Sequence, residues 1–127
     1  MPEKNLYDYA VIRVVPRVER EEFINVGVIL FCKVERFLQF RYTLDPIRLL
    51  AFDPNIDIEV LEQNLKAIDH ICAGDTKGGE IAGLDVASRF RWLTATRSTV
   101  IQSSKVHPGY TEQSKDTLEN LFSSLVL

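Results

Sequence analysis

Two nearly continuous apolar runs near the N-terminus constrain the fold more than any other feature of this sequence. Residues 6–16 are dense in aromatic and β-branched side chains, which favours a β-strand that ends at Pro16. Residues 26–34 read VGVILFCKV and are too apolar for an edge strand, so we place this second strand at the centre of a sheet. Residues 37–44 alternate apolar and polar side chains, as expected for a half-exposed strand that forms a hairpin with the second one.

Helix signals follow these strands. Asp45 and Pro46 form an N-cap and first-turn pair, which predicts a short helix through about Ala51. A longer helix begins at Asp57 and ends at Gly74, a residue type suited to a left-handed C-cap. Its apolar residues recur at spacings of 3 and 4 and lay one stripe against a core: Ile58, Leu61, Leu65, Ile68 and Cys72.

Two further helices are predicted nearer the C-terminus. Residues 75–84 are rich in glycine and polar residues and predict an exposed loop. Asp85 can then cap a helix through about Leu93, and a last helix begins at about Ser114. The side chains that this last helix is expected to bury are Leu118, Leu121, Phe122 and Leu125.

Residues 98–102 predict a fourth strand, and Pro108 with Gly109 predicts a turn after it. No internal repeat and no long linker divides the sequence, so we predict a single domain over residues 1–127. The order of elements predicts an α+β fold: an antiparallel sheet of three or four strands, with helices packed mainly on one face.

The net charge of −3 hides an uneven distribution. Residues 1–85 carry 10 basic and 15 acidic side chains, a balance of −5, and residues 112–127 contribute −2. Residues 86–111 carry four basic side chains and no acid, a balance of +4. A slightly acidic whole argues against a protein that binds nucleic acid or anionic lipid with its entire surface, and it makes this basic stretch the first place to expect a binding face. Its basic residues are Arg89, Arg91, Arg97 and Lys105.

The two cysteines, Cys32 and Cys72, lie in apolar periodic segments and lack the spacing of metal ligands. We expect both to be reduced core residues, and we expect no metal and no cofactor. The N-terminal residues have no apolar signal core, and no apolar run approaches the roughly 18 residues that a membrane span needs. We therefore expect a cytoplasmic protein without a membrane partner.

Arg13 interrupts the first apolar run and needs an acceptor, because a buried charge without a partner is strongly destabilising. Glu19 and Glu22 follow a few residues later. We favour a structural bridge from Arg13 to one of these glutamates, which would hold the first two strands together, over an anion-binding site.

Arg97, Ser98 and Thr99 place one guanidinium and two hydroxyls at a predicted helix-to-strand junction. Such groups suit phosphate oxygens, and the basic stretch would supply a positive local field. The alternative is a solvated basic face that balances the acidic remainder of the protein. We favour this alternative, because motifs of this length often match by chance.

His107 precedes Pro108, and Ser103, Ser104 and Tyr110 lie nearby in sequence. A hydroxyl nucleophile needs a base within hydrogen-bond reach and a third group that orients the base. No carboxylate lies close in sequence to do this. We interpret His107 as a turn residue and rank catalysis third among the functional classes.

Trp92 lies between two inward positions of its helix, so part of its ring should cover the edge of the core. An exposed part flanked by Arg89 and Arg91 would be a plausible anchor for a partner, since Trp and Arg are enriched at interface hot spots. A second candidate contact surface consists of Leu125, Val126 and Leu127.

Residues 7–31, YDYAVIRVVPRVEREEFINVGVILF, resemble a family of small bacterial proteins of unknown function, uncharacterised family 3037. Residues 89–102, RFRWLTATRSTVIQ, and residues 106–109, VHPG, are similar to the second block of that family. The resemblance implies a partner role, since family members are often encoded beside a kinase-like protein of the HipA type. The polar positions that the resemblance singles out are Tyr9, Arg13, Glu22, Asn25, Arg97 and His107.

The sequence shows no set of nucleophile, base and orienting acid, which favours a non-catalytic protein-interaction module. Such a module would bind another bacterial protein through Trp92, the basic stretch and the last helix. The alternative is a nucleic-acid or nucleotide-phosphate binder that uses residues 86–111, and association between identical chains is also open. The candidate binding residues are Arg13, Glu22, Asn25, Arg89, Arg91, Trp92, Arg97 and His107.

Overall fold

The structure is a computed structural model that describes residues 4–95 and 99–127. Its strands are β1 (Asn5–Val14), β2 (Ile24–Cys32), β3 (Phe37–Tyr42), β4 (Ile101–Ser103) and β5 (His107–Thr111). Its α-helices are α1 (Pro46–Phe52), α2 (Ile58–Ala73), α3 (Val86–Leu93) and α4 (Ser114–Leu125). Short 3-10 turns lie at Val18–Arg20, Thr76–Gly78 and Glu80–Gly83. No helix in the described ranges is both long and apolar enough to cross a lipid bilayer.

The five strands form one antiparallel sheet in which β1 and β2 are the interior strands. Strand β3 pairs with the outer edge of β2, and β4 and β5 lie one after the other along the outer edge of β1. The register places Ser103 opposite Ile12 and His107 opposite Tyr9. The two apolar runs of the sequence therefore form the centre of the sheet, and the predicted α+β class is confirmed. The described residues form five strands where three or four were predicted, because residues 107–111 pair with β1.

The alternating side chains of the interior strands supply two apolar cores. Ala10, Ile12 and Val14 of β1 face a core that also contains the buried residues of α1, α2 and α3. Val28 and Leu30 of β2 face the opposite side, where α4 covers β2 and β3. Three of the four described helices thus share one face, and α4 covers part of the other.

The helices begin and end where the capping residues of the sequence predict. The Asp57 carboxylate accepts a hydrogen bond from the Val60 N–H at 3.2 Å, and Asp45 accepts from the Ile47 N–H at 3.1 Å. Gly74 closes α2 in the left-handed region, with φ of 71°. Its N–H donates to the Ile71 carbonyl at 3.1 Å, which satisfies a carbonyl that the end of the helix leaves without a partner.

The predicted turn at Pro108 and Gly109 is wrong, because both residues lie within strand β5. A proline has no N–H to donate and is tolerated in a strand at the edge of a sheet, which is where Pro108 lies. Gly109 lies against the ring of Tyr7, and a Cβ at this position would come within 2.5 Å of ring atoms. His107 is accordingly a strand residue and not a turn residue.

Helix α4 is held by hydrogen bonds at its first residue and by the burial of its apolar face. The Glu35 carboxylate, from the turn between β2 and β3, accepts hydrogen bonds from the N–H and the hydroxyl of Ser114. Leu118 and Phe122 are buried as predicted, but Leu125 is 36% exposed, so its predicted burial is wrong. Val126 is only 3% exposed instead, since the residue four positions after Phe122 continues the buried face.

Candidate functional site

An apolar groove lies between α2 and the edge strand β4. Its volume is about 700 Å³, within the range typical of ligand-binding clefts. Ile12 and Ile101 contribute to its floor from the sheet, and Trp92 and Leu93 line it from the end of α3. We refer to it as the α2–β4 groove.

The groove results from the position of α2 on the sheet. The buried stripe of α2 packs against the core on the side of β3, at the opposite edge of the sheet from β4. A second row of α2 residues, at spacings of 4, 3 and 4, lines the groove together with Leu61 and Ile68 of the stripe. The residues of this second row are Val60, Asn64, Ala67 and Ile71.

Large apolar side chains along the groove stay in contact with solvent. Val60 is 49% exposed, Trp92 is 42% exposed and Val100 is 44% exposed. Single exposed apolar residues are ordinary on protein surfaces, but several that line one concavity indicate a binding region. The predicted partly exposed position of Trp92 is therefore confirmed, and the structure adds the groove that it lines.

Two carboxylates lie at one end of the groove. Asp53 is buried, accepts a hydrogen bond from the Asn55 N–H at 2.8 Å, and has the Arg17 guanidinium at 3.7 Å. Asp57 caps α2 and forms no salt bridge among the described residues. Arg17 contacts Asp53 but is not itself one of the residues that line the groove.

The structure does not contain the predicted bridge between Arg13 and Glu19 or Glu22. Arg13 instead places its guanidinium 4.2 Å from the centre of the Phe23 ring, and Glu22 pairs with Arg20. A half-buried arginine at the end of a strand can keep part of its hydration while it stacks on an aromatic ring, so it does not require a carboxylate. The prediction was wrong because it assumed full burial.

Asn25 lies opposite Arg13 in the sheet and ties α4 to β2. Its Nδ2 donates to the carbonyl of Leu125 at 3.1 Å. Its Oδ1 is buried without a hydrogen-bond partner in the described part of the chain. The first role of Asn25 is thus to hold the end of α4 against the sheet.

His107 lies on the same sheet face as Arg13 but opposite Tyr9, in the middle of β1. Its ring centre is 5.3 Å from that of Tyr9, and Tyr9 precedes Arg13 by four residues, which is about 13 Å along a strand. Ser104 hydrogen-bonds to the backbone of Val11 and Lys105, not to His107. Of the residues singled out by the resemblance, those that the structure describes therefore do not converge on one pocket: Tyr9 lies beside His107, and Arg13 lies beside Asn25. The catalytic arrangement of His107 with Ser104 is not formed.

Arg89 has a structural role that sequence reasoning missed. Its Nη1 donates to the carbonyls of Ile71 at 2.8 Å and Cys72 at 3.0 Å, which satisfies the last turn of α2. Arg91 is exposed and reaches Ser88 in its own helix at 3.1 Å. No local signal in the sequence links Arg89 to a helix end that precedes it by 17 residues.

Arg97 and its neighbours Thr96 and Ser98 lie outside the described residues. The phosphate-binding interpretation therefore has no geometry to support it, and one of its four basic residues, Arg89, is already bound to helix carbonyls. It stays a prediction that depends on Arg91, Arg97 and Lys105.

The predicted single face formed by Trp92, the basic stretch and the last helix is wrong. Trp92 lines the groove with residues of the α1, α2 and α3 side of the sheet, whereas α4 belongs to the core on the opposite side. The sheet separates them, so a partner of ordinary size that docks on one side does not reach both.

Neither cysteine is placed for chemistry. Both are buried and free, and burial, with a further contribution from Asp69, raises the pKa of the Cys72 thiol to about 12. Within the described ranges, no three His, Cys, Asp or Glu side chains are grouped so that they could hold a metal ion.

Comparisons with known proteins agree with the resemblance noted from the sequence. No curated protein and no solved structure matches this chain. A family model described as a protein of unknown function (DUF3037) matches residues 9–126, which is nearly the whole chain. The chain therefore belongs to the DUF3037 family.

Proposed function

We propose that this protein is a non-catalytic interaction module that binds an apolar segment of another protein in the α2–β4 groove. The observation that carries the proposal is that Val60, Trp92 and Val100 stay partly exposed along one groove of about 700 Å³. Leaving this apolar surface in water has a cost of about 25 cal/mol per Å², which a bound segment would recover.

The polar groups of the groove favour binding over catalysis. Asp57 is used as a helix cap, and the Thr99 hydroxyl donates to the Ile101 carbonyl at 2.6 Å. The Ser103 hydroxyl donates to the Ser104 carbonyl at 2.9 Å. None of these pairs a hydroxyl with a basic side chain, which nucleophilic catalysis requires.

The direct test is co-purification with groove variants. Ala67 is exposed and lines the groove, so Ala67→Glu places a charge there without disturbing the core. Ala73→Glu is the matched control, because Ala73 is an exposed residue of the same helix and does not line the groove. We expect a discrete partner to co-purify with the wild type and with Ala73→Glu, and to be lost with Ala67→Glu.

The first partner to test is a kinase-like protein of the HipA type, which the family resemblance implies. The two proteins would be co-expressed and compared on a sizing column with the same two variants. A wild-type chain that emerges alone, or a partner that Ala67→Glu retains in full, would contradict the proposal.

A further inference from the structure

The directions of the backbone N–H and C=O groups of β4 indicate how a segment would bind. The Val15 N–H donates to the Val100 carbonyl at 2.6 Å, and the Ser104 N–H donates to the Val11 carbonyl at 2.8 Å. In an antiparallel pair, successive residues direct their N–H and C=O groups alternately toward the partner strand and away from it. Val100, Gln102 and Ser104 therefore face β1, and Ile101 and Ser103 direct their backbone groups toward the free edge.

Most of these outward groups are available. The Thr99 hydroxyl occupies the Ile101 carbonyl at 2.6 Å. Across the described residues, no hydrogen bond is formed by the Ile101 N–H, the Ser103 N–H or the Ser103 carbonyl on that side, and β4 pairs with β1 alone. An edge of this kind is the template that strand addition uses.

The side chains of the same two residues belong to the groove. Ile101 lies opposite Val14 and Ser103 lies opposite Ile12, and both Val14 and Ile12 face the core on the α2 side. A strand added to β4 would lie about 4.8 Å from it, with every second side chain over the groove. A single bound segment could therefore pair with the free backbone groups of Ile101 and Ser103 and place its side chains in the groove.

The charge of the groove specifies a further property of the occupant. Asp53 and Asp57 line one end of it. The contact of Arg17 with Asp53 and the bond from Val15 to Val100 place this acidic end beside the start of β4. A Lys or Arg at the corresponding end of the bound segment would complement it.

We infer that the occupant of the α2–β4 groove is an extended segment of another protein that adds as a strand to the free edge of β4. Its alternate side chains are apolar and enter the groove, and a Lys or Arg lies beside Asp53 and Asp57. This inference rests on the proposed function and specifies the kind of segment that is bound.

The experiment starts from a phage-displayed library of random 12-residue peptides selected on the full chain. Trp92 is the only tryptophan, so its fluorescence reports peptide binding at the groove. We expect selected peptides to alternate apolar residues and to carry a Lys or Arg near one end. Binding should be lost with Ala67→Glu and retained with Ala73→Glu.

Strand addition is then tested by methylating the backbone amides of a selected peptide one at a time. The peptide amide that donates to the Ser103 carbonyl should lose about fivefold or more in affinity when it is methylated. The amides on either side of it face away from β4 and should lose little, so the effect alternates between neighbouring positions. Peptides that bind at the groove without this alternation would overturn strand addition and leave the proposed function standing.

A separate experiment tests whether the segment needs a Lys or Arg. The double variant Asp53→Asn with Asp57→Asn keeps the oxygens that cap the backbone but removes both charges. We expect about tenfold weaker peptide binding and a smaller dependence on salt, while Glu62→Gln, which alters a residue paired with Lys66 off the groove, leaves both unchanged. Unchanged binding by the double variant would refute the basic residue in the segment.

Two further outcomes would overturn the inference together with the proposed function. A free chain that sediments as a dimer, and as a monomer after Ala67→Glu, would assign the groove to a second copy and overturn both. A library that yields no peptide and a host that yields no partner sensitive to Ala67→Glu would overturn both.

Discussion

Arg89 illustrates how a single charged residue can be committed to structure inside a basic stretch. Its guanidinium reaches back to the end of α2 and bonds to the carbonyls of Ile71 and Cys72. The positive charge at the C-terminal end of a helix also interacts favourably with the helix dipole. Arg89 therefore joins α3 to α2, and its charge is not free to attract a phosphate as that of an exposed arginine would be.

Replacing Arg89 should measurably destabilise the fold. We expect Arg89→Met to lower the free energy of unfolding by about 2 kcal/mol, because two hydrogen bonds from a charged donor are lost. The Ile71 carbonyl keeps the Gly74 N–H as a donor, whereas the Cys72 carbonyl loses the donor that Arg89 supplies. Urea denaturation at neutral pH measures this change. Arg91→Met is the control, since Arg91 is exposed and its guanidinium donates to the Ser88 hydroxyl within its own helix. Equal effects of the two substitutions would contradict the capping role.

Because of the buried Cys72 thiol, we expect the free energy of unfolding to fall at alkaline pH. Burial raises its pKa to about 12 from an ordinary value of 9.0, so the folded state favours the protonated thiol. The contribution is fully present below pH 9 and is lost as the pH rises toward 12, since the unfolded chain ionises first. We expect a loss of roughly 1 kcal/mol between pH 9 and pH 10.

This loss is isolated by comparison with Cys72→Val, which removes the titrating group and keeps a similar volume. Both proteins are unfolded with urea at a series of pH values, and the difference between their unfolding free energies is followed. A difference that stays constant up to pH 10 would show that the thiol does not make this contribution.

At the scale of elements, β5 depends on one close approach between strands. Gly109 lies opposite Tyr7, whose ring occupies the space that a side chain at position 109 would need. The sequence pair Pro108 and Gly109 resembles a turn, but here the glycine makes room for an aromatic ring and the proline lies on an outer edge. The same residues therefore serve a strand once tertiary contacts are formed.

We expect Gly109→Ala to destabilise the chain by about 1–3 kcal/mol, because the added Cβ would come within 2.5 Å of the Tyr7 ring. Gly83→Ala is the matched control, since a Cβ at Gly83 has no neighbouring atom within 4 Å. Thermal unfolding compares the two. Combining Gly109→Ala with Tyr7→Ala should recover part of the loss, and a double variant with fully additive losses would contradict the assigned clash.

At the scale of the whole molecule, the sequence predicts elements better than it predicts the site. Strands β1 and β2 are predicted by apolar runs, and α2 by a capping aspartate and a regular stripe, because these signals are local. The groove depends on where α2 lies across the sheet, which no local pattern specifies. Its only trace in the sequence is the second row of α2, at Val60, Asn64, Ala67 and Ile71.

The candidate site residues also differ in how far local sequence signals predict their positions. Trp92 was identified because an aromatic residue beside inward positions is a local signal. The predicted partner of Arg13 was wrong because the choice between Glu22 and Phe23 depends on how the chain leaves the strand. The expectation that Trp92 and α4 share a face failed since the order of helices along the chain does not say which side of a sheet each one covers.

The sheet couples two cores that lie on its opposite faces. Leu65 belongs to the core beneath α2, and Phe122 belongs to the core beneath α4. Strands β1 and β2 contribute side chains to both, so neither core can be lost without exposing the other face of the same strands. The two faces should therefore unfold as one cooperative unit although their helices do not form a common surface.

Substitution in each core tests this coupling. Leu65→Ala and Phe122→Ala should each lower the unfolding free energy by about 2–5 kcal/mol, because each removes a buried side chain and leaves a cavity. Trp92 lies on the side of Leu65, so its fluorescence follows one face, while circular dichroism follows the helices of both. In Phe122→Ala the two signals should shift together in urea. A Trp92 transition that stays at its wild-type midpoint while the helical signal falls would mean that α4 unfolds separately from the groove.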